Sequence, residues 1–450
     1  MQDLTTGSLT GHLLKTTSFM LVSMVFQTLY VLLDLFWVGR LGTDAIAAVG
    51  LSANLSFIVI AITQVLSVGA TTVVSHASGR KDQQQAIFLF NQSQVLSMAA
   101  GLLFLAVAMI FRSQYAAAQS STEAMRIATE EFLLFFIPAM ALQFAMVAMG
   151  AALRGTGNFK PGMWVQTGTV LINMVLAPFL IFGWGPFPAL GVSGAALSTL
   201  IAVVAGVIWI SFYFIDAHAY LRFHLASWKP QFRVWWDMLK IGLPAGAEFA
   251  LMGVYMAVVY AITKPFGAAA QGGFTIGLRI VQSAFLPVVA LGFAVAPVAG
   301  QNFAARQGDR VLAAFKAAAA LAAGAMLLAA IVIFLAADAM MRIFTTDPEV
   351  IAVGVEYLHI VAITFVGSGI TFVSSSMFQA MGNTIPSLIT SGMRLVLSVV
   401  PAILLSRVAG FHLTWIWYIS AVAVFLQMAV NLLLLQREFR LKLAYNQPAA

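Results

Sequence analysis

Cysteine is absent from all 450 residues, which excludes disulfides, thiolate metal sites and cysteine nucleophiles together. Charge is scarce as well. Asp, Glu, Lys and Arg make up 9% of the chain, where a soluble globular domain carries about a quarter. The six histidines are scattered, with no HExxH or other ligand spacing, so no metal site is assigned and a metal enzyme is not expected. No phosphate-cradling GxxxxGK[ST] loop occurs, so the chain is not expected to bind ATP directly. Close acid/base pairs and Ser/His/Asp clusters at helical spacing are also missing, which argues against an intramembrane hydrolase. The N-terminus has no basic segment leading into a short apolar stretch and a small-residue cleavage site, so the first apolar run is expected to be retained.

Apolar sequence is what the chain has in abundance. Hydrophobic residues account for 61% of it, and the mean hydropathy is +0.95. Crossing ~30 Å of hydrocarbon takes about 20 residues of helix. Runs of that length recur near 15–37, 50–75, 88–111, 130–152, 163–183 and 190–215, and again near 240–262, 272–300, 312–337, 352–380, 386–406 and 411–436. They predict an all-α integral membrane protein of twelve transmembrane helices. The connections are too short to hold a soluble catalytic domain.

The net charge of +7 belongs to topology and not to nucleic acid. With the N-terminus inside, fifteen of the 23 Lys and Arg fall on the inner side, among them Lys81, Arg154 and Arg306. Six fall outside, and Arg279 and Arg394 lie within spans. This positive-inside asymmetry supports the span count and places both termini in the cytoplasm of a multi-pass membrane protein.

The sequence partly repeats. GNFKP at 157–161 resembles GNTIP at 382–386, and RLG at 40–42 resembles PFG at 265–267, each displaced by 225 residues. SHASGRKD at 75–82 answers GQNFAARQGD at 300–309 at nearly the same offset. Six spans per half is an even number, so two six-helix lobes should be related by a pseudo-two-fold axis along the membrane normal, with a substrate path between them. The lobes are expected at 1–214 and 240–450, joined by a cytoplasmic linker at 215–239. That linker mixes Trp228, Trp235 and Trp236 with basic residues, which suits an amphipathic surface segment as well as it suits a plain connection.

A charge at the bilayer centre costs about 3 kcal/mol, so each intramembrane charge calls for a reason. Asp34 is the formal charge in the middle of TLYVLLDLFWVGRLG, 28–42. Gln27, Tyr30 and Asp34 are spaced three and four apart and share one helix face. A carboxylate on such a face can take up and release a proton, and it marks a candidate coupling site. In the fifth span, Gln166, Thr169 and Asn173 form a facing polar stripe. Asn173 either shares a hydrogen bond with Asp34 or simply joins two helices. Glu248, four residues after Pro244, is the second candidate for a proton or cation. Arg279, on the stripe Gln271–Thr275–Arg279, needs an anion or carbonyls nearby, and Glu248 on the preceding span is its simplest partner. Glu356 and His359 are expected near interfacial water, and Arg394 has no assignment.

These landmarks resemble the multidrug and toxic compound extrusion (MATE) transporters over essentially the whole chain. The resemblance rests on LLDLFWVGRLGTDAIAAVG, SHASGRKD, GAALRGTGNFKP, LGVSGAALST, GQNFAARQGD and QAMGNTIP. It implies a two-lobe antiporter, without a cofactor, that exports amphiphilic and often cationic organic compounds by alternating access, driven by H⁺ or Na⁺. The chain looks most similar to the bacterial DNA-damage-inducible-like branch. There, Asp34, Tyr30, Gln27 and Asn173 match residues lining the N-lobe cavity, and Thr199 matches a cavity threonine. A second carboxylate of that branch, one turn after the asparagine, is replaced here by Ala177. The resemblance therefore implies proton coupling through Asp34, with Glu248 as an additional cation site and small organic molecules and the bilayer as partners of a monomer. The alternative is a flippase for a lipid-linked sugar or cell-wall precursor, for which two intramembrane arginines are few.

Overall fold

The computed structural model describes residues 1–120, 122–216, 219–408 and 410–443, and within them every side chain except those of residues 35, 43, 44, 47, 53 and 54. Among the described residues there is no strand. Six long helices come first: α1 (Leu9–Gly39), α2 (Thr43–Gly79), α3 (Gln83–Ile110), α5 (Glu123–Gly155), α6 (Lys160–Phe182) and α7 (Val192–Ile215). A short α4 (Arg112–Gln119) lies between α3 and α5. Six more follow: α8 (Phe232–Thr263), α9 (Ala268–Ala304), α10 (Gly308–Phe344), α11 (Pro348–Ala380), α12 (Ile385–Leu405) and α13 (Thr414–Lys442). Twelve of these are long and apolar enough to cross a membrane, and they coincide with the twelve runs read from the sequence.

Most of the helices outrun their apolar windows by one or two turns. At the starts of α3, α5 and α11 a polar residue satisfies an amide group the helix leaves orphaned. Asp82 accepts from the Gln85 amide at 2.9 Å, Thr122 Oγ1 from Met125 at 3.2 Å, and Asp347 from Glu349 at 3.0 Å. The extra helix α4 is held by Tyr115, whose hydroxyl donates to the Leu51 carbonyl at 2.8 Å.

The repeat is written into the backbone. Among the described residues, Lys81 and Arg306 are the two non-glycines with positive φ, at 59° and 58°. They stand 225 positions apart. Gly157 and Gly382 (φ 77° and 72°) stand at the same displacement. So do their hydrogen bonds: the Asp82 amide reaches Ala77 O and the Gln307 amide reaches Asn302 O, both at 3.0 Å. An L-residue enters the left-handed region at a cost, so this pair of turns marks one local fold used twice.

The chain forms two compact units. The first holds Met1–Asp3 and Ser18–Gly246, and the second holds Leu4–Thr17 and the chain from Ala247 onward. The segment read as the interlobe linker therefore packs with the first unit, together with the start of α8. Inside the first unit, α5 packs on α2, α3 and α7, while α6 packs on α7. Inside the second, α11 packs on α9, α10 and α13, while α12 packs on α13. The same set of neighbours thus recurs with the elements renumbered. Close helix approach relies on small residues: a side chain at Gly155 would strike Thr71 and Val74, and one at Gly292 would strike Phe372. Stacked rings fill each core, Phe90 on Phe214 at 4.4 Å in the first unit and Phe274 on Trp417 at 5.3 Å in the second.

The connection between α7 and α8 is not an amphipathic helix. Its described part contains a single 3₁₀ turn, Leu225–Trp228, and two adjacent buried amides on α3 hold it. Asn91 Nδ2 donates to Arg222 O at 3.0 Å, and Asn91 Oδ1 accepts from the His224 amide at 3.0 Å and from Trp228 Nε1 at 2.8 Å. Gln92 Nε2 donates to Ser227 O and Lys229 O at 2.6 and 2.8 Å, and its Oε1 accepts from the Gln231 amide and Trp235 Nε1, both at 3.0 Å. Two of the three tryptophans that suggested a membrane surface therefore turn inward. Trp236 stays exposed, with Lys240 5.7 Å over its ring.

Candidate functional site

Three of the residues singled out on the first, fifth and sixth spans meet in the first unit. Thr199 on α7 sits at the centre. Its hydroxyl donates to the Ala195 carbonyl of its own helix at 3.1 Å, as helical threonines do. That spends its one proton, so its other contacts must be received. Asn173 Nδ2 donates to it at 3.0 Å, and the Tyr30 hydroxyl, 3.2 Å away, donates to it as well. Asn173 also reaches Ser198 Oγ at 3.3 Å, and Ser198 in turn donates to Ala195 O at 2.7 Å. Asn173, Ser198 and Thr199 are buried, and a buried polar group without partners would cost several kcal/mol in hydrocarbon. Here the three satisfy one another.

Asp34 completes the group from the helical turn after Tyr30, with which it interacts electrostatically. Its Oδ1 is buried and accepts no hydrogen bond from any described residue. The contrast with Asn173 matters. The amide is locked into a network, whereas a carboxylate oxygen beside that network is left open. The Tyr30 hydroxyl, having donated to Thr199, retains oxygen lone pairs one turn away from the acid. This geometry suits a group that exchanges a proton, or holds a cationic head group, better than one that only ties helices together. Gln27, on the same face of α1, is exposed. Ala177 lies one turn beyond Asn173, packed in an apolar cluster with Val38 and Phe136. No polar partner for Asp34 stands at that position.

The second unit arranges its charges differently from what chain proximity suggested. Glu248 lies within interaction range of the Ser387 hydroxyl on α12, and Ser387 donates its proton to Ser375 on α11 at 2.6 Å. The expected pairing of Glu248 with Arg279 is not made: the Arg279 side chain is exposed and forms no ion pair among the described residues. The reason is packing, since the acid faces Ser387 of α12 instead. Above Arg279 on its stripe, Gln271 and Thr275 both bond to Tyr260, at 3.3 and 2.9 Å. Glu356 accepts from Thr414 at 2.8 Å, and His359 contacts the Phe334 carbonyl at 3.1 Å, so both are tied to neighbouring residues. Among the described residues, no three His, Cys, Asp or Glu side chains gather to hold a metal.

Sequence reading missed Ser198, whose adjacency to Thr199 was the available signal. It also missed the tyrosines of the second unit, which sit in apolar runs and carry no spacing signature.

Comparison with known proteins agrees with this architecture. The family described as MatE matches the chain twice, over residues 20–179 and 244–404, the second match starting 224 residues after the first. The multidrug export protein MepA of Staphylococcus aureus strain MSSA476 is 27% identical over 367 residues, spanning 81% of this chain and 80% of that protein. MepA of Staphylococcus haemolyticus is 27% identical over 371 residues, spanning 81% and 79%. Among solved structures, a MOP superfamily transporter from Pyrococcus furiosus shares the fold with a TM-score of 0.90 at 22% identity, over 99% of this chain and 98% of that one. An outward-facing multidrug resistance MATE family transporter gives a TM-score of 0.90 at 23% identity, over 98% of both chains. A twice-matched family and a shared twelve-helix fold lead to one conclusion: this chain belongs to the MatE family and is a multi-pass membrane transporter, not an enzyme.

Proposed function

We propose that this protein exports amphiphilic, often cationic organic compounds across the inner membrane of a bacterium, by alternating access of two six-helix lobes and at the expense of a proton gradient. Both termini face the cytoplasm in this reading, as the distribution of Lys and Arg requires, and the protein works as a monomer. Multidrug export by the MepA relatives supports the substrate class. The observation that carries the coupling step is the open Oδ1 of Asp34 beside the closed Tyr30–Thr199–Asn173 network.

In the proposed cycle the ionised carboxylate holds the cationic group of the cargo. Proton uptake from the outside neutralises it and weakens that hold, and the cargo leaves. Tyr30, held by Thr199, stands one turn from the acid, and Asn173 fixes Thr199. Glu248 is the second candidate, facing Ser387, and would contribute a separate protonation or Na⁺ site in its own lobe. Gln27 and Arg279, both exposed, would line the substrate path.

The test is counterflow in proteoliposomes with H⁺ and Na⁺ gradients imposed separately. Accumulation of a cationic dye driven by H⁺ alone supports the proposal. Accumulation driven by Na⁺ alone moves the coupling role away from Asp34 as a proton site, and downhill movement insensitive to either gradient overturns export by antiport.

A further inference from the structure

Arg394 has no role in the cycle above, and its surroundings are unusual. It lies on α12, on a stripe with Ser387, Ser391 and Ser398 at spacings of four, three and four, which is one helix face. Its guanidinium sits 5.8 Å over the ring of Tyr255 on α8, within cation–π range. Tyr255 in turn shares a 2.9 Å hydrogen bond with Ser420 on α13. Tyr357 on α11 is in electrostatic range of both Arg394 and Tyr255, and its ring packs on Trp417, one turn before Ser420, at 4.8 Å. Four helices of the second unit therefore converge on one arginine.

What this group lacks in partners defines its chemistry. No described carboxylate pairs with Arg394. Glu248 lies near Ser387, seven residues from Arg394 along α12, or about 10 Å. An arginine stays charged at any working pH and offers only donors. Ser398, one turn further on the same face of α12, and Trp417, packed on Tyr357, each carry a buried polar atom (Oγ and Nε1) with no hydrogen-bond partner among the described residues. Trp417 is 1% exposed and Ser398 3%, and such groups are costly unless something satisfies them. Charge, donors and aromatic faces are thus assembled with no carboxylate among the described residues paired to the guanidinium.

We infer that Arg394, Tyr255, Tyr357, Trp417, Ser398 and Ser420 form an oxyanion-binding site within the second unit, which takes a carboxylate, sulfonate or phosphate group carried on an apolar or aromatic body. The guanidinium supplies the charge-assisted bonds, and the rings flank the body of the ligand. The site extends the proposed export function to amphiphiles that carry an acidic group. It rests on that reading for its physiological meaning, but not for its existence.

Binding to the full-length protein in phosphatidylcholine nanodiscs tests it, with empty nanodiscs subtracted. Dansylglycine supplies a free carboxylate, its methyl ester the same body without charge, and ethidium a cation bound independently. The expected result is that dansylglycine binds about ten-fold or more tightly than the ester. Arg394→Gln should abolish that preference, Arg394→Lys should keep part of it, and ethidium binding should not change. Equal binding of acid and ester by the wild type overturns the inference, as does a preference that survives in folded Arg394→Gln. Should that variant not fold, Tyr255→Phe decides, since it keeps the ring: a preference weakened several-fold supports the site, and an unchanged one overturns it. Repeating the titration in dodecyl maltoside, which carries no phosphate, distinguishes the sources. A preference that grows several-fold there identifies the lipid phosphate as a competing occupant, and an unchanged preference identifies a dissolved compound. Loss of ethidium binding or of dye export would instead bear on the proposed function and leave this site standing.

Discussion

Replacing Gln92 with alanine should release the connection between α7 and α8 while leaving the twelve helices in place. The wild-type side chain makes four hydrogen bonds to that segment, two from Nε2 and two to Oε1, at 2.6 to 3.0 Å. Each is worth about 1 kcal/mol net, so their sum is about 4 kcal/mol. The segment is partly exposed on its outer side, and water recovers some of this for the Ser227 and Lys229 carbonyls. The Gln231 amide and the Trp235 indole recover less. A net loss of about 3 kcal/mol in local stability follows, which accelerates opening about a hundred-fold at 1.4 kcal/mol per decade. Hydrogen exchange on the purified protein reads this directly. Amides of residues 222–235 should lose about two orders of magnitude of protection, while those in the middle of α5 and α11 keep theirs. Unchanged protection at 222–235 would refute the assignment of Gln92 as the clamp. Uniform loss across the chain would show that it supports the core of the whole first unit instead.

Three further outcomes follow from the same geometry. Thr199→Val removes the acceptor shared by Tyr30 and Asn173, and should lower dye export several-fold with the protein still folded; Thr199→Ser should restore most of it, both read as initial rates in vesicles. Gly242→Ala places a methyl against the Val65 carbonyl of α2, and should lower thermal stability by about 1–3 kcal/mol, seen as an earlier melting transition in detergent. Arg306→Gly relieves an L-residue at φ 58° and should be stabilising by about 0.5 kcal/mol, since the αL penalty exceeds the entropy cost of glycine; a lower melting midpoint would contradict that reading.

The spans were legible because hydrocarbon demands long apolar runs, and nothing else in this sequence competes with that signal. The repeat was legible at its loops, where GNFKP and GNTIP fold into turns of equal φ, and Lys81 and Arg306 show the same correspondence with no sequence identity. Helix ends were not legible to the residue, because caps such as Asp82 and Asp347 carry helices past their apolar windows. The connection at 215–239 was read from its own composition. Its actual partners, Asn91 and Gln92, lie more than 130 residues earlier, within a run that reads as membrane span. A buried NQSQ opening such a run was the signal available. In the first unit, helical spacing singled out Tyr30 and Asp34, and the resemblance added Thr199, because one helix face or one matched position sufficed. In the second unit the arginines could not be placed that way. Glu248 and Arg279 are on consecutive spans, yet the acid faces Ser387 of α12, and the tyrosines around Arg394 come from helices that are remote in sequence.

The most direct test of the central claim is proton-driven uptake of a cationic dye into everted membrane vesicles carrying either the wild type or Asp34→Asn, with Na⁺ excluded and dye binding measured in parallel. The wild type should accumulate dye when the lumen is acidified and release it when the gradient is collapsed. Asp34→Asn, folded and present at equal amount, should fail to accumulate it under the same gradient. Uptake by Asp34→Asn at the wild-type rate and with the same proton dependence would contradict the account.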